Sequence, residues 1–201
     1  MLNYGNIFDN EGLTYSNYRK LVDELLAVGK TTGHDHAEEM LHYTKMNVQR
    51  MNRVEKTTVL NDKLLTIIEK IKHHYHFLVI TEGWCGDAAQ IVPVINKIIS
   101  VAPDKFTLRL VLRDQNIPLI DAHLTNGGRA IPVLLILNEN KELILPKWGP
   151  RPLVLQSLLA EWKKEYSDQM QIATLLHGWY AKDKTQTTQQ ELRQLLEKLV
   201  F

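Results

Sequence analysis

Apolar residues recur at helical spacing through the first 57 residues of the chain. One helix is predicted from a cap at Thr14 through Lys30, followed by helices over about 34–54 and 61–74. The apolar face of the second helix is rich in methionine, which fills irregular gaps in a protein core. The same face could instead be an adaptable binding surface, and the pattern alone leaves both interpretations open.

The pattern then changes to short β-prone apolar runs that alternate with helices. Strands are predicted at about 76–81, 106–112, 133–137 and 142–145. Helices are predicted between and after them, at about 85–101, 117–124 and 152–166. Because a helix joins the first two strands, they should be parallel with a right-handed crossover. The last two strands should form a hairpin.

The remaining residues return to helical spacing, with helices predicted over about 167–180 and 187–199. The chain therefore divides into an N-terminal helical extension (1–57), an α/β domain (58–166) and a C-terminal helical extension (167–201). No linker rich in proline or glycine separates these parts. We expect both extensions to pack on the central domain as one folded unit.

The composition of the chain argues against several classes of protein. The 201 residues are 44% hydrophobic, which predicts a packed core, and the net charge of +1 argues against nucleic-acid binding. The sequence contains no window of about 18 apolar residues, so no membrane span is predicted. The N-terminus lacks the basic patch and apolar run of a signal peptide, so a cytoplasmic location is expected. One cysteine excludes a disulfide framework.

That cysteine, Cys85, lies at the turn between the first predicted strand and its helix. Unpaired N–H groups and the helix dipole favour an anion there, which would lower the thiol pKa and increase the thiolate fraction. Asp87 opposes this effect, because a carboxylate in the first helical turn repels a thiolate. Cys85 could therefore be a reactive nucleophile or an inert thiol kept for packing.

Several segments in register resemble thioredoxins. They are Trp84-Cys85-Gly86 before a helix, Pro93 within that helix, the segment 128–137 around Pro132, and the loop Lys147-Trp148-Gly149. The likeness is strongest to a group of bacterial thioredoxin-like proteins that read Trp-Cys-Gly-Asp-Ala-Ala-Gln at this place. It implies an α/β thioredoxin-like fold, with a central mixed four-stranded sheet flanked by helices and helical extensions at both ends.

Two departures limit what the resemblance implies about chemistry. Thioredoxins carry a Cys-x-x-Cys motif, whereas this chain reads Cys85-Gly86-Asp87-Ala88 and has no second cysteine. The buried aspartate that moves protons in thioredoxins corresponds here to Val79. A dithiol reductase mechanism is therefore not expected.

By resemblance, Cys85 is the catalytic residue, and the Ile131–Pro132 bond is cis. In thioredoxins the residue before this proline presents its backbone to an extended substrate. The predicted substrate-binding residues are Trp84, Gly86, Asp87, Arg129, Ile131, Pro132, Trp148 and Gly149. Arg129 could stabilise a thiolate or an acidic ligand, or it could be a solvated loop residue. The two tryptophans could equally pack at the edge of the core.

No metal site is predicted, although histidines cluster at 34–42 and 73–76. The first cluster does not have the compact ligand spacing of a metal site, and the second suits a solvated helix end. No cofactor is implied beyond glutathione or another small thiol as reductant.

Three functions remain. The leading one is monothiol thiol–disulfide exchange, in which Cys85 attacks a protein or peptide disulfide and an external thiol resolves the mixed disulfide. The alternative is a redox-inactive binding module that holds a peptide or protein partner in the groove beside Pro132. A monothiol iron–sulfur carrier ranks last, because Cys-Gly-Asp-Ala departs from the Cys-Gly-Phe-Ser of monothiol glutaredoxins. The sequence leaves the oligomeric state open.

Overall fold

A computed structural model describes residues 2–200 of the chain. Its sheet has three strands in the order β2-β1-β3. The strands are β1 (Tyr75–Thr81), β2 (Phe106–Leu112) and β3 (Val133–Leu137). β1 is parallel to β2, with Tyr75 opposite Phe106, and antiparallel to β3, with Val79 opposite Leu134. The mixed α/β architecture is the predicted one.

The helices lie before, between and after the strands. They are α1 (Tyr4–Asn6), α2 (Tyr15–Ala27), α3 (Glu38–Thr57), α4 (Asp62–Lys70), α5 (Gly86–Val101), α6 (Ile117–Asp121), α7 (Leu153–Glu165), α8 (Gln169–Asp183) and α9 (Gln186–Glu197). A π-helical turn covers Ile7–Glu11, and a 3-10 turn covers Arg113–Gln115. Within residues 2–200, no helix has both the length and the apolar character needed to cross a membrane.

The core forms around β1 and α5. Every residue of β3 is buried, as expected for the continuous apolar run Val133–Leu137. α5 is buried along most of its length, including Ile91, Val94 and Ile95. Pro93 lies inside α5 without ending it. This packing fixes the start of α5, and with it Cys85, at the carboxyl end of β1.

The predicted fourth strand is wrong. The segment after β3 makes only isolated bridges, from Leu143 to Leu137 and from Trp148 to Leu134. Between these bridges the segment advances five residues while β3 advances three, so the pairing register changes. Pro146 lies in this stretch and has no N–H to donate to a ladder. The segment therefore bulges instead of forming a continuous strand.

The N-terminal extension packs against the sheet and against α5. Val22 of α2 and Met51 of α3 are buried in the core, whereas Met40 and Met46 of α3 are only partly buried. Leu13 and Leu110 form a backbone pair that was not predicted, in which each N–H donates to the other's carbonyl at 2.8 Å. This pairing attaches the segment before α2 to β2.

The C-terminal extension is anchored through a buried amide. Gln189 of α9 is fully buried, and its Nε2 donates to the Val59 carbonyl at 3.0 Å and to Thr185 Oγ1 at 3.0 Å. Its Oε1 accepts from the Asn61 backbone N–H at 2.9 Å and from Asn61 Nδ2 at 3.1 Å. Both polar atoms of the amide are thus fully used in holding α9 against the start of α4.

We predict that Gln189→Leu destabilises the protein by about 2–4 kcal/mol, because the Val59 carbonyl and the Asn61 N–H lose their buried partner. The measurement is the free energy of unfolding in urea. Gln190→Leu is the matched control, since Gln190 is the exposed neighbour on the same helix. Equal stability of the two variants would contradict the anchoring role.

Candidate functional site

Cys85 is the N-cap residue of α5, at the predicted turn after β1. Its Sγ accepts from the Ala88 N–H at 3.5 Å and lies 3.3 Å from the Ile131 carbonyl, to which the thiol donates. Only 8% of the residue is exposed. The thiol is therefore placed as in an N-terminal helical site, but it is buried.

Burial raises the pKa of Cys85 to about 12, and the Asp87 carboxylate adds to the increase. The Ala88 N–H and the Arg151 guanidinium act in the opposite direction but are the smaller effects. Of the two opposing effects that the sequence left open, the helix terminus does not prevail, because desolvation and the Asp87 charge outweigh it. At neutral pH the thiol is protonated.

Asp87 takes part in a buried ion pair. It is 5% exposed, and its Oδ1 and Oδ2 accept from Arg151 Nε at 3.1 Å and Nη2 at 2.5 Å. Tyr180 of α8 donates its hydroxyl to Asp87 Oδ1 at 2.6 Å. Burial, followed by the Asp87 charge, raises the pKa of Tyr180 well above its usual value. Three residues far apart in sequence thus meet beside Cys85.

The two helical extensions cover the start of α5. From α3, Asn47 Nδ2 donates to the Gly83 carbonyl at 3.0 Å. From α8, the His177 ring approaches Gly86 so closely that a Cβ on Gly86 would lie 2.7 Å from His177 Cε1. A side chain at Gly86, which is predicted to bind substrate, would therefore displace the His177 ring.

A second buried acid lies near the thiol. Glu82 is fully buried, and its Oε1 accepts from the Asp114 N–H at 3.0 Å. Thr32 donates its hydroxyl to Glu82 Oε2 and accepts from the Gly83 N–H. Burial raises the pKa of the Glu82 carboxyl. The comparison with thioredoxins considered position 79, and Glu82 was not predicted. The one sign of Glu82 in the sequence is an acidic residue directly after a buried strand.

The segment around Pro132 lies directly against the thiol. The Ile131–Pro132 bond is cis, and the Ile131 carbonyl accepts from Cys85. Within residues 2–200, the Ile131 N–H has no hydrogen-bond acceptor. Gly149 has a φ of +117°, and a Cβ there would lie 2.2 Å from the Pro132 carbonyl oxygen, so only glycine fits. Cys85, Ile131, Pro132 and Gly149 are therefore brought together.

The remaining predicted site residues lie farther out. Trp84 is partly buried, and the Arg113 guanidinium stacks over its ring at 4.6 Å. Trp148 donates its indole N–H to Glu191 of α9 at 2.9 Å. Arg129 pairs through two hydrogen bonds with the exposed Asp121, at 2.6 and 2.9 Å. The Arg129 side chain is thus directed to Asp121.

No metal centre stands out. Among residues 2–200, no group of three or more His, Cys, Asp or Glu side chains is arranged to hold an ion. His74, from the second histidine cluster, bonds the Asp104 carbonyl at 2.9 Å and Thr107 Oγ1 at 2.7 Å. His74 therefore links β2 to the loop that precedes it.

These features define an α/β protein of thioredoxin type with one cysteine at the start of its first core helix. The sequence model of a thioredoxin family, Thioredoxin_9, matches residues 33–163, and the chain belongs to this family. The match includes α3 and most of α7, so the N-terminal boundary of the family region lies within the predicted extension.

Two solved structures share this architecture. A protein of unknown function from Pseudomonas aeruginosa is 16% identical with a TM-score of 0.66, covering 98% of this chain and 99% of that one. An HIV epitope scaffold is 16% identical with a TM-score of 0.57, covering 92% of this chain and 99% of that one. These similarities show the fold alone. No curated protein matches the chain.

We predict that Asp87→Ala destabilises the protein by about 3–5 kcal/mol, because it leaves the Arg151 guanidinium buried without a counter-charge. Asp121→Ala is the matched control, since it removes an aspartate with two hydrogen bonds to an arginine at the exposed surface. Water screens that pair, so stability should stay close to wild type. Chemical denaturation of both variants provides the measurement, and similar losses would contradict the role of burial.

Proposed function

We propose that this thioredoxin-family chain is a redox-inactive binding module, in which Cys85 is a buried, protonated thiol. The main support is the position of this residue. Cys85 is 8% exposed, both helical extensions contact the residues beside it, and its thiol donates to the Ile131 carbonyl. A thiol must ionise to act as a nucleophile, and buried structural cysteines are inert. The chain also has no second cysteine to resolve a mixed disulfide.

The partner proposed for this module is an extended peptide or protein segment that lies along residues 128–131. Support comes from the Ile131 N–H, which lacks an acceptor within residues 2–200. Backbone N–H groups without a partner are rare in folded proteins, so an acceptor from another molecule is a natural complement. Gly128 and Arg129 are exposed beside it, and Trp84 is partly exposed.

Monothiol exchange is the second candidate, and the position of Cys85 as N-cap of α5 favours it. In this reaction the Cys85 thiolate attacks a disulfide sulfur and forms a mixed disulfide, while the other sulfur leaves as a thiolate. An external thiolate, such as that of glutathione, then attacks the substrate sulfur of the mixed disulfide. A new disulfide forms between the external thiol and the substrate, and Cys85 leaves as a thiolate. This route requires the covering helices to move.

The two candidates differ in the alkylation of Cys85 in the native protein. We predict that iodoacetamide labels the native thiol at least about 100-fold more slowly than the unfolded thiol at pH 7, because the thiol is buried and its pKa is raised. The labelling rate should still increase with pH above 9, since the thiol pKa is about 12. Intact-mass spectrometry across pH 6–10 measures the rate.

The same protein in denaturant provides the control, because its thiol has the ordinary pKa of about 8.5. A native rate with a midpoint below that value would show an exposed, activated thiolate. That result would overturn the redox-inactive proposal in favour of monothiol exchange.

We further predict that peptides selected from a displayed random library bind the Cys85→Ser variant as tightly as the wild type. Trp84→Ala should weaken the same peptides about tenfold or more, because aromatic anchors dominate such interfaces. Trp162→Ala is the control, since Trp162 is also partly buried but lies on α7. Fluorescence anisotropy gives the affinities. Loss of binding on Cys85→Ser with Trp84→Ala unchanged would contradict the proposal.

A further inference from the structure

A cleft of about 740 Å³ lies between α3 and α8. Its volume is in the range of sites that hold small organic molecules. The α3 side presents Tyr43, Met46 and Arg50, and the α8 side presents Ala173 and His177. The cleft reaches the start of α5, because both His177 and Arg50 approach Gly86.

Arg50 places a guanidinium in this cleft. It is partly buried, and its Nη1 donates to Asn47 Oδ1 at 2.6 Å. Within residues 2–200 it forms no ion pair with a carboxylate, whereas the nearby Arg151 is neutralised by Asp87. Burial, and then the charge of Arg53, lower the pKa of Arg50. A partly buried guanidinium without a counter-charge is complemented by an anion.

No other group on the described lining of the cleft supplies this anion, so it would have to come from another molecule. Glu39 is the one carboxylate on the described lining, and it accepts from the Tyr43 hydroxyl at 3.1 Å. His177 is neutral at physiological pH, because burial lowers its pKa to about 4. Its Nδ1 is buried and has no partner within residues 2–200. The described lining therefore carries one fixed positive charge, with one buried polar atom that has no partner on a neighbouring side chain.

The walls beside Arg50 are apolar and adaptable. Met46 and Ala173 are partly buried in the cleft, and Met170 lies at its rim with 70% of its surface exposed. Methionine side chains are flexible and polarisable, so they can fit apolar ligands of varied shape. On the methionine-rich face of α3, Met46 thus lines the cleft, whereas Met51 fills the core.

We propose that the cleft between α3 and α8 binds a small organic acid, with its carboxylate on Arg50 and its apolar body against Met46, Ala173 and Met170. The single cation selects one negative charge, and the methionines select an aliphatic or aromatic body over a sugar or phosphate. This site needs neither the Cys85 thiol nor the segment 128–131. Its test is therefore independent of the function proposed above.

The experiment is calorimetric titration of the full chain with octanoate, a monocarboxylate with an aliphatic body. Saturable binding at one site is expected, with octan-1-ol binding at least tenfold more weakly because it lacks the charge. Arg50→Gln should weaken octanoate at least tenfold, whereas Lys45→Gln should not change it, since Lys45 is an exposed lysine of the same helix outside the cleft. Ala173→Phe should block the site by filling it.

Thermal melts monitored by circular dichroism establish that each variant is folded. Octanoate should also shift the NMR signals of the His177 ring, which locates the ligand independently of any variant. Absence of binding up to about 10 mM octanoate, a concentration that detects even millimolar affinity, would overturn the proposal. Unchanged octanoate affinity in both Arg50→Gln and Ala173→Phe would also overturn it, because the acid would then bind elsewhere.

Discussion

The buried ion pair between Asp87 and Arg151 is the interaction on which the rest of the site depends. Asp87 lies in the first turn of α5, where unpaired N–H groups already favour a negative charge. Arg151 and the Tyr180 hydroxyl complete its solvation inside the protein. Arg151 is therefore engaged by the carboxylate and only weakly favours a Cys85 thiolate. Burial keeps the thiol protonated, and the negative charge of its neighbour Asp87 adds to this effect.

The same interaction determines how the C-terminal extension is attached. Tyr180 brings α8 over the start of α5, and His177, one turn earlier, then fills the space above Gly86. A buried ion pair is weak evidence for net stability, because desolvation offsets much of the attraction between the charges. Breaking it nevertheless leaves an uncompensated charge. The hydrogen bond from Tyr180 to the paired carboxylate thus favours one position of α8 over others, and that position places His177 against Gly86, next to Cys85.

The sequence supported accurate prediction of the elements whose apolar pattern is continuous. β2 and β3 have the predicted bounds, because local β-prone runs determined them. The fourth strand failed where Pro146 interrupts a ladder, a consequence that depends on pairing register and not on local pattern. The cysteine turn was located correctly, but the burial that raises the pKa of its thiol was not predicted. A helix N-terminus is visible in sequence, whereas the burial that raises the thiol pKa comes from distant helices.

Other parts of the site could not be predicted for the same reason. Nothing local to Glu82 or His177 reveals that the fold buries one and places the other against Gly86. Arg129 illustrates the converse: its position two residues before Ile131 left a thiolate partner and a solvated loop residue both open, and in the structure it pairs with Asp121 at the exposed surface. Contacts between residues far apart in sequence can be predicted only when the packing of both extensions is known.

The two extensions therefore have a joint consequence for function. Where they meet the start of α5 they remove Cys85 from solvent, which weakens the case for thiol chemistry. Between Met46 and Ala173 they leave a cleft whose guanidinium, that of Arg50, has no carboxylate partner in the described part of the chain. A helix pair that closed completely would have buried Arg50 at a large desolvation cost, so the cation requires the cleft to stay open to water or to a ligand. The geometry that buries the thiol is thus also the geometry that leaves the cleft open beside Gly86.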